Sequence, residues 1–245
     1  MPDADHRPRG LSRDAIKLLA MLAMFLNHFA HIFVPAGIAH DILSYIGWFT
    51  APAMAYFLVE GYGRTRDRRM YLARLAGTGA VSQFFYHAAL GERNLNMMFT
   101  LALCLCILQC LGNVRNVPLR WLCVSFLACL TVATDWPILM AVFTVLVYYG
   151  DRAGRRAVLF ASYIACYLIY VLFSGPYGPG GMDTITACLS GLGILAVGVM
   201  ISFMYGHRRM DASENMRKCL QAFFYAFYPA HLALLWICRI ALGAG

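Results

Sequence analysis

Apolar runs about the length of a bilayer crossing fill almost the whole chain, and the short segments between them carry charge of one sign on alternate turns. A crossing helix needs ~20 mostly apolar residues. Nine such runs are read at 14–34, 42–62, 70–89, 95–112, 119–134, 137–150, 157–174, 184–205 and 219–241. They leave room for a short polar tail at residues 1–13 and a single membrane domain at 14–245. At 61% hydrophobic and 13% charged, the chain holds more apolar surface than a water-soluble domain of 245 residues can bury. The expected fold class is an all-α polytopic membrane helix bundle of about nine transmembrane helices.

Sixteen of the twenty lysines and arginines fall in five segments: around Arg7 to Arg13, Arg64 to Arg69, Arg115 to Arg120, Arg152 to Arg156 and Arg208 to Lys218. Lys17 and Arg74 lie just inside runs at the same side, while only Arg93 and Arg239 fall on the other. Lys and Arg resist translocation, so this asymmetry predicts a cytosolic N-terminus and an outer C-terminus. It also explains the net charge of +8 without nucleic acid, for which a continuous basic face is missing. Most of the nine cysteines lie inside apolar runs, where they read as packing residues rather than metal ligands.

Ionisable groups inside apolar runs mark candidate sites, because the bilayer disfavours them by several kcal/mol. At ~100° per residue, Asp14, Lys17, Met21, Met24, His28 and His31 share one narrow face of the first helix, with Asn27 beside it. A lipid-facing stripe would be apolar, so this face is expected to line an interior. His28 is the deepest imidazole and suits a general base near neutral pH. Lys17 reads first as a snorkelling residue and second as an anion contact, and His31 sits near an interface. Glu60 ends the second run beside Arg64 and Arg66, which suits either an ion pair or a phosphate site. Arg74 opens the third run and His87 closes it. Asn94 reads as the cap of the fourth, with Asn96 next to it. Asp135 stands in a very short outer turn, as a solvated turn residue or as the orienter of an imidazole. In the last run Pro229 interrupts the helix between Tyr228 and His231, which indicates a kink beside a polar cavity or a plain packing kink.

Several of these segments carry a resemblance. Lys17 with Asn27-His28, Phe57-Leu58-Val59-Glu60-Gly61 with Arg64-Thr65-Arg66, Tyr71-Leu72-Ala73-Arg74-Leu75, Asn94 through Leu101, Asp135, and Phe227-Tyr228-Pro229-Ala230-His231-Leu232 together resemble the TraX family. That family comprises membrane proteins linked to N-terminal acetylation of conjugative pilin. An acidic residue often precedes the first-helix histidine there, and Asn27 stands in its place here. The basic-then-histidine first helix is also similar to broader integral membrane acyltransferases.

The resemblance implies a bacterial inner-membrane enzyme taking acetyl from cytosolic acetyl-CoA to an outer acceptor such as the pilin amine. His28 would be the base, with Asp135 and Asn27 assisting. Lys17, Arg64, Arg66, Arg74 and Glu60 would serve the donor site. His31, His87, Asn94, Asn96, Tyr228 and His231 would serve the acceptor side. O-acetylation of a cell-envelope glycan and a non-enzymatic transporter or pilus-assembly role are the alternatives.

Overall fold

The structure, a computed structural model, describes residues 10–206 and 213–243. The remainder of the expected tail (1–9), Arg208 and Arg209 lie outside the described residues. The described chain forms eleven α-helices: α1 (Arg13–Phe33), α2 (Ile38–Gly47), α3 (Thr50–Arg64), α4 (Arg68–Leu90), α5 (Met97–Asn113), α6 (Val117–Leu130), α7 (Leu139–Arg152), α8 (Arg156–Ser174), α9 (Thr184–Ser190), α10 (Leu192–Val199) and α11 (Glu214–Ala241). Among the described residues the only extended pairing is two isolated bridges, Leu11 with Tyr205 and Leu95 with Thr134.

Five stretches are long and apolar enough to cross a membrane: Arg13–Phe33, Ile38–Arg64, Arg156–Ser174, Thr184–Met204 and Glu214–Ala241. Met97–Asn113 and Val117–Ala133 are shorter apolar helices. Large hydrophobic side chains such as Leu22, Phe84, Leu122, Phe126, Leu172 and Ile237 face outward. Water would penalise that surface and lipid does not.

Two of the expected runs are broken. The second starts earlier, at Ile38, and is interrupted at Trp48 and Phe49. Pro52 explains the break, because it has no N–H for the Trp48 carbonyl and its ring would clash there; in the first turn of a new helix both problems vanish. The eighth run divides at Gly191 and ends in a π-turn over Met200–Met204.

These breaks meet. A β-carbon on Gly193 would sit 2.8 Å from Phe49 N and 2.9 Å from the Trp48 carbonyl carbon, so α10 touches backbone at the α2–α3 break. Gly193→Ala is therefore expected to push α10 away, costing about 1–3 kcal/mol, or roughly 2–12 °C in a detergent melt. An unchanged melting temperature would show that the helices are not held this closely.

Helix α3 forms the axis of the bundle. Every residue from Thr50 to Tyr62 except Met54 is buried. It is packed by α1, α5, α7 and α10, while α11 lies against α4 and α1. The cap of α5 is Asn96 rather than the expected Asn94. The Asn96 carboxamide oxygen accepts from Met98 N at 3.0 Å, and its extended backbone is what a cap requires.

Candidate functional site

The face read on the first helix lines the interior from end to end. Asp14, Lys17, Met21 and Met24 border an inner cavity of about 250 Å³. Met24, His28 and His31 border an outer cavity of about 700 Å³. Met24, Thr50, Met97 and Tyr228 border both, so these four side chains divide one polar interior.

The inner cavity is cationic. Arg13, Lys17, Arg64 and Arg74 line it against a single acid, Asp14. The Lys17 ammonium lies 5.4 Å from the Phe57 ring centre and 5.0 Å from that of Phe224, a cation–π setting that holds it over the cavity wall. Glu60 does not line the cavity. It is buried in a knot in which Arg13 Nε (3.1 Å), Arg64 (2.8 Å) and the Tyr205 hydroxyl (2.7 Å) all reach its carboxylate. The knot joins α3 to the start of α1 and to the strand-like 204–206 segment, which itself pairs with Leu11. Arg66 is exposed and does not border the cavity.

The outer cavity has the opposite sign. Asp41, Glu92 and Asp135 line it with His28, His31 and His40, and no lysine or arginine does among the described residues. Trp48, Trp136, Tyr45 and Tyr86 supply its aromatic wall. Asp135 is placed by backbone: its N–H donates to Leu95 O (2.8 Å), and Leu95 N donates to Ala133 O (2.9 Å). Its carboxylate accepts from the Tyr86 hydroxyl at 2.9 Å, so its partner is a phenol rather than an imidazole. Burial pushes the Asp135 carboxyl up to about 6, against the Tyr86 hydrogen bond, which lowers it. The turn after it is strained. Ile138 adopts φ 60° and ψ −49°, with Leu139 N donating to Pro137 O, a γ-turn that a β-branched residue rarely enters.

At the deep end of the outer cavity two imidazoles meet. His28 Nδ1 lies 2.9 Å from His231 Nε2, with the rings within 8° of parallel, and His231 Nδ1 lies 2.8 Å from Phe227 O. Both side chains are buried. Pro229 lies inside α11, two residues before His231.

Of the other residues singled out by sequence, several serve structure. The Asn27 amide donates to Ser44 O at 3.0 Å and lies across Gly47, where any β-carbon would collide with it; it ties α1 to α2. Asn96 bonds Gln83 Oε1 and Gly79 O besides capping α5. The Asn94 carbonyl accepts from Gln83, and His87 bonds Glu92 O at the exposed surface. His31 stands edge-on to His40 at 5.3 Å. Tyr86, His40, Asp41, Glu92 and the Trp48–Trp136 pair were missed. The one available signal was that the loops carrying Asp41, Glu92 and Asp135 hold three carboxylates against one cation, Arg93.

An all-helical, multi-pass membrane protein with a charge-divided interior is thus the class defined by fold and site. Comparison with known families narrows it: the chain belongs to the TraX protein family, whose profile matches residues 12–239. It is similar to the "Probable fimbrial assembly protein FimC, serogroup H1" of Dichelobacter nodosus, with 28% identity over 242 residues covering 93% of this chain and 95% of the relative. No solved structure matches it.

Proposed function

We propose that this protein is an integral membrane acetyltransferase that carries acetyl from cytosolic acetyl-CoA to an amine on the outer side, the N-terminal amine of processed pilin. The observation that carries this reading is the adjacency of a cationic cavity and an acidic, imidazole-bearing cavity across Met24, Thr50, Met97 and Tyr228. Phosphates suit the first and an ammonium group the second. The fimbrial assembly role in the relative's name favours a pilin acceptor. In this reading α1, α2–α3, α4, α5, α6, α7, α8, α9–α10 and α11 each cross a bacterial inner membrane, nine spans in all, with the N-terminus cytosolic.

Lys17 and Arg74 would hold the donor's phosphates, since Arg13 and Arg64 are committed to Glu60. Lys17 and His28 are eleven residues apart on one helix, so an extended thioester arm would bridge about 16 Å. Asp135 and the aromatic wall would hold the incoming amine. The bound ammonium first gives up one proton to water of the outer cavity; His28 then takes a second proton from the nitrogen as the C–N bond forms and the C–S bond breaks, and returns it to the departing thiolate. The Trp48 and Trp136 rings, 4.8 Å apart, favour a second reading in which a glycan hydroxyl is the acceptor.

The test is calorimetric titration of acetyl-CoA into the detergent-solubilised protein. Saturable binding is expected, weakened about tenfold in Arg74→Ala, the typical effect of losing one phosphate-paired charge. Arg66→Ala is expected to bind as the parent does. Absence of binding by a folded sample would overturn the proposal. Offering a pilin-derived peptide and an oligosaccharide as acceptors then separates the two readings.

A further inference from the structure

The hydrogen bonds around the imidazole pair assign its protons. A carbonyl oxygen only accepts, so the His231 nitrogen facing Phe227 O, Nδ1, carries a hydrogen. In a neutral ring the other nitrogen, Nε2, then holds the lone pair. That lone pair faces His28 Nδ1 at 2.9 Å, and two lone pairs at this distance repel. His28 Nδ1 must therefore carry a hydrogen, which leaves the lone pair of His28 on Nε2. Among the described residues no hydrogen bond reaches His28 Nε2, and His28 borders the outer cavity.

We infer that His231 is a positioning residue that locks neutral His28 as the Nδ1–H tautomer and presents Nε2 as its basic nitrogen to the outer cavity. This rests on the reading of His28 as the base only for its consequence in catalysis; the tautomer itself follows from the geometry. The chain Phe227 C=O, His231, His28 does for this imidazole what a carboxylate does elsewhere: it fixes which nitrogen is free and how the ring is turned. It does so with neutral groups, which suits a site within a bilayer, where a buried unpaired charge is costly. Asp135, bonded to Tyr86, is left to face the acceptor. Pro229, two residues before His231 on α11, supplies no N–H to the Tyr225 carbonyl.

Two measurements test the inference. Ring-nitrogen NMR of protein labelled with 15N-histidine reads the tautomer directly. The seven histidines are few enough to assign His28 by its loss in His28→Asn. Protonated Nδ1 and unprotonated Nε2 are expected, with the pattern shifting toward Nε2–H in His231→Leu. Protonation of His28 on Nε2 in the unsubstituted protein would overturn the inference, whether or not the protein proves to be an acetyltransferase. The second is the acetyl-transfer rate with a peptide amine. His231→Leu is expected to lower kcat by about 100-fold with KM nearly unchanged. His231→Gln, whose amide oxygen accepts near the position of Nε2, is expected to recover at least a tenth of the parent rate. Equal rates in the two variants would show that His231 only packs. Transfer undetectable in every form would remove the enzymatic reading and leave the tautomer to be decided by the NMR result.

Discussion

His28→Ala is expected to abolish acetyl transfer, lowering kcat by about 10²–10⁴-fold, while acetyl-CoA still binds. A free amine is mostly protonated near neutral pH, so its attack on a thioester needs a proton acceptor at the reacting nitrogen. His28 is the imidazole buried at the inner end of the outer cavity, whereas His31 is exposed and set against His40. His31→Ala should therefore lose less than tenfold. The alanine variant also strips His231 Nε2 of its donor, an orphaned buried acceptor costing about 1–3 kcal/mol. His28→Asn separates the two effects, because its amide N–H stands near the Nδ1 position and no basic nitrogen remains. It is expected to fold as the parent does and still be inactive. Mass spectrometry of a peptide acceptor incubated with labelled acetyl-CoA and reconstituted protein makes the measurement. Transfer at the parent rate by His28→Asn would remove His28 from the chemistry.

The amphipathic first helix was legible because periodicity acts within one helix. Asp14, Lys17, Met24, His28 and His31 share a face by spacing alone, and that face borders both cavities. Partners distant in sequence were not legible. His28 and His231 are 203 residues apart, Glu60 and Tyr205 are 145, and Tyr86 and Asp135 are 49. Nothing local announces those pairings. Glu60 illustrates the consequence: beside an arginine run it resembles part of an anion site, but Arg13 and Tyr205 arrive from elsewhere and enclose it. The α2–α3 break had a local signal, Pro52, but its depth depends on Gly193 lying against it. The cap of α5 shifted from Asn94 to Asn96 because Gln83, on the neighbouring helix, satisfies both residues and fixes where the first turn begins.

Glu60→Ala is expected to be the most destabilising single change around the cationic cavity. The side-chain exposures of Glu60 and Arg13 are 7% and 12%, so removing the carboxylate leaves a guanidinium with little access to water and takes one hydrogen bond from the buried Tyr205 phenol. Breaking a buried pair in this way costs about 3–5 kcal/mol. The Arg64 arm adds little, since at 44% exposure it is screened by solvent. A net loss near the lower bound, about 3 kcal/mol, corresponds to roughly 6–12 °C in thermal unfolding for a chain of this size. Arg64→Ala is expected to cost under about 1 kcal/mol. Glu60→Gln should fall between, because its amide oxygen still accepts from Tyr205 while the charge opposite Arg13 is lost. Acetyl-CoA affinity gives the decisive contrast. As a strut, Glu60 holds Arg13 and Arg64 away from the ligand, so Glu60→Gln would release two cations at the cavity wall and tighten phosphate binding. As a ligand contact, its replacement would weaken binding and leave the melting temperature within about 2 °C of the parent, which would return Glu60 to the donor site.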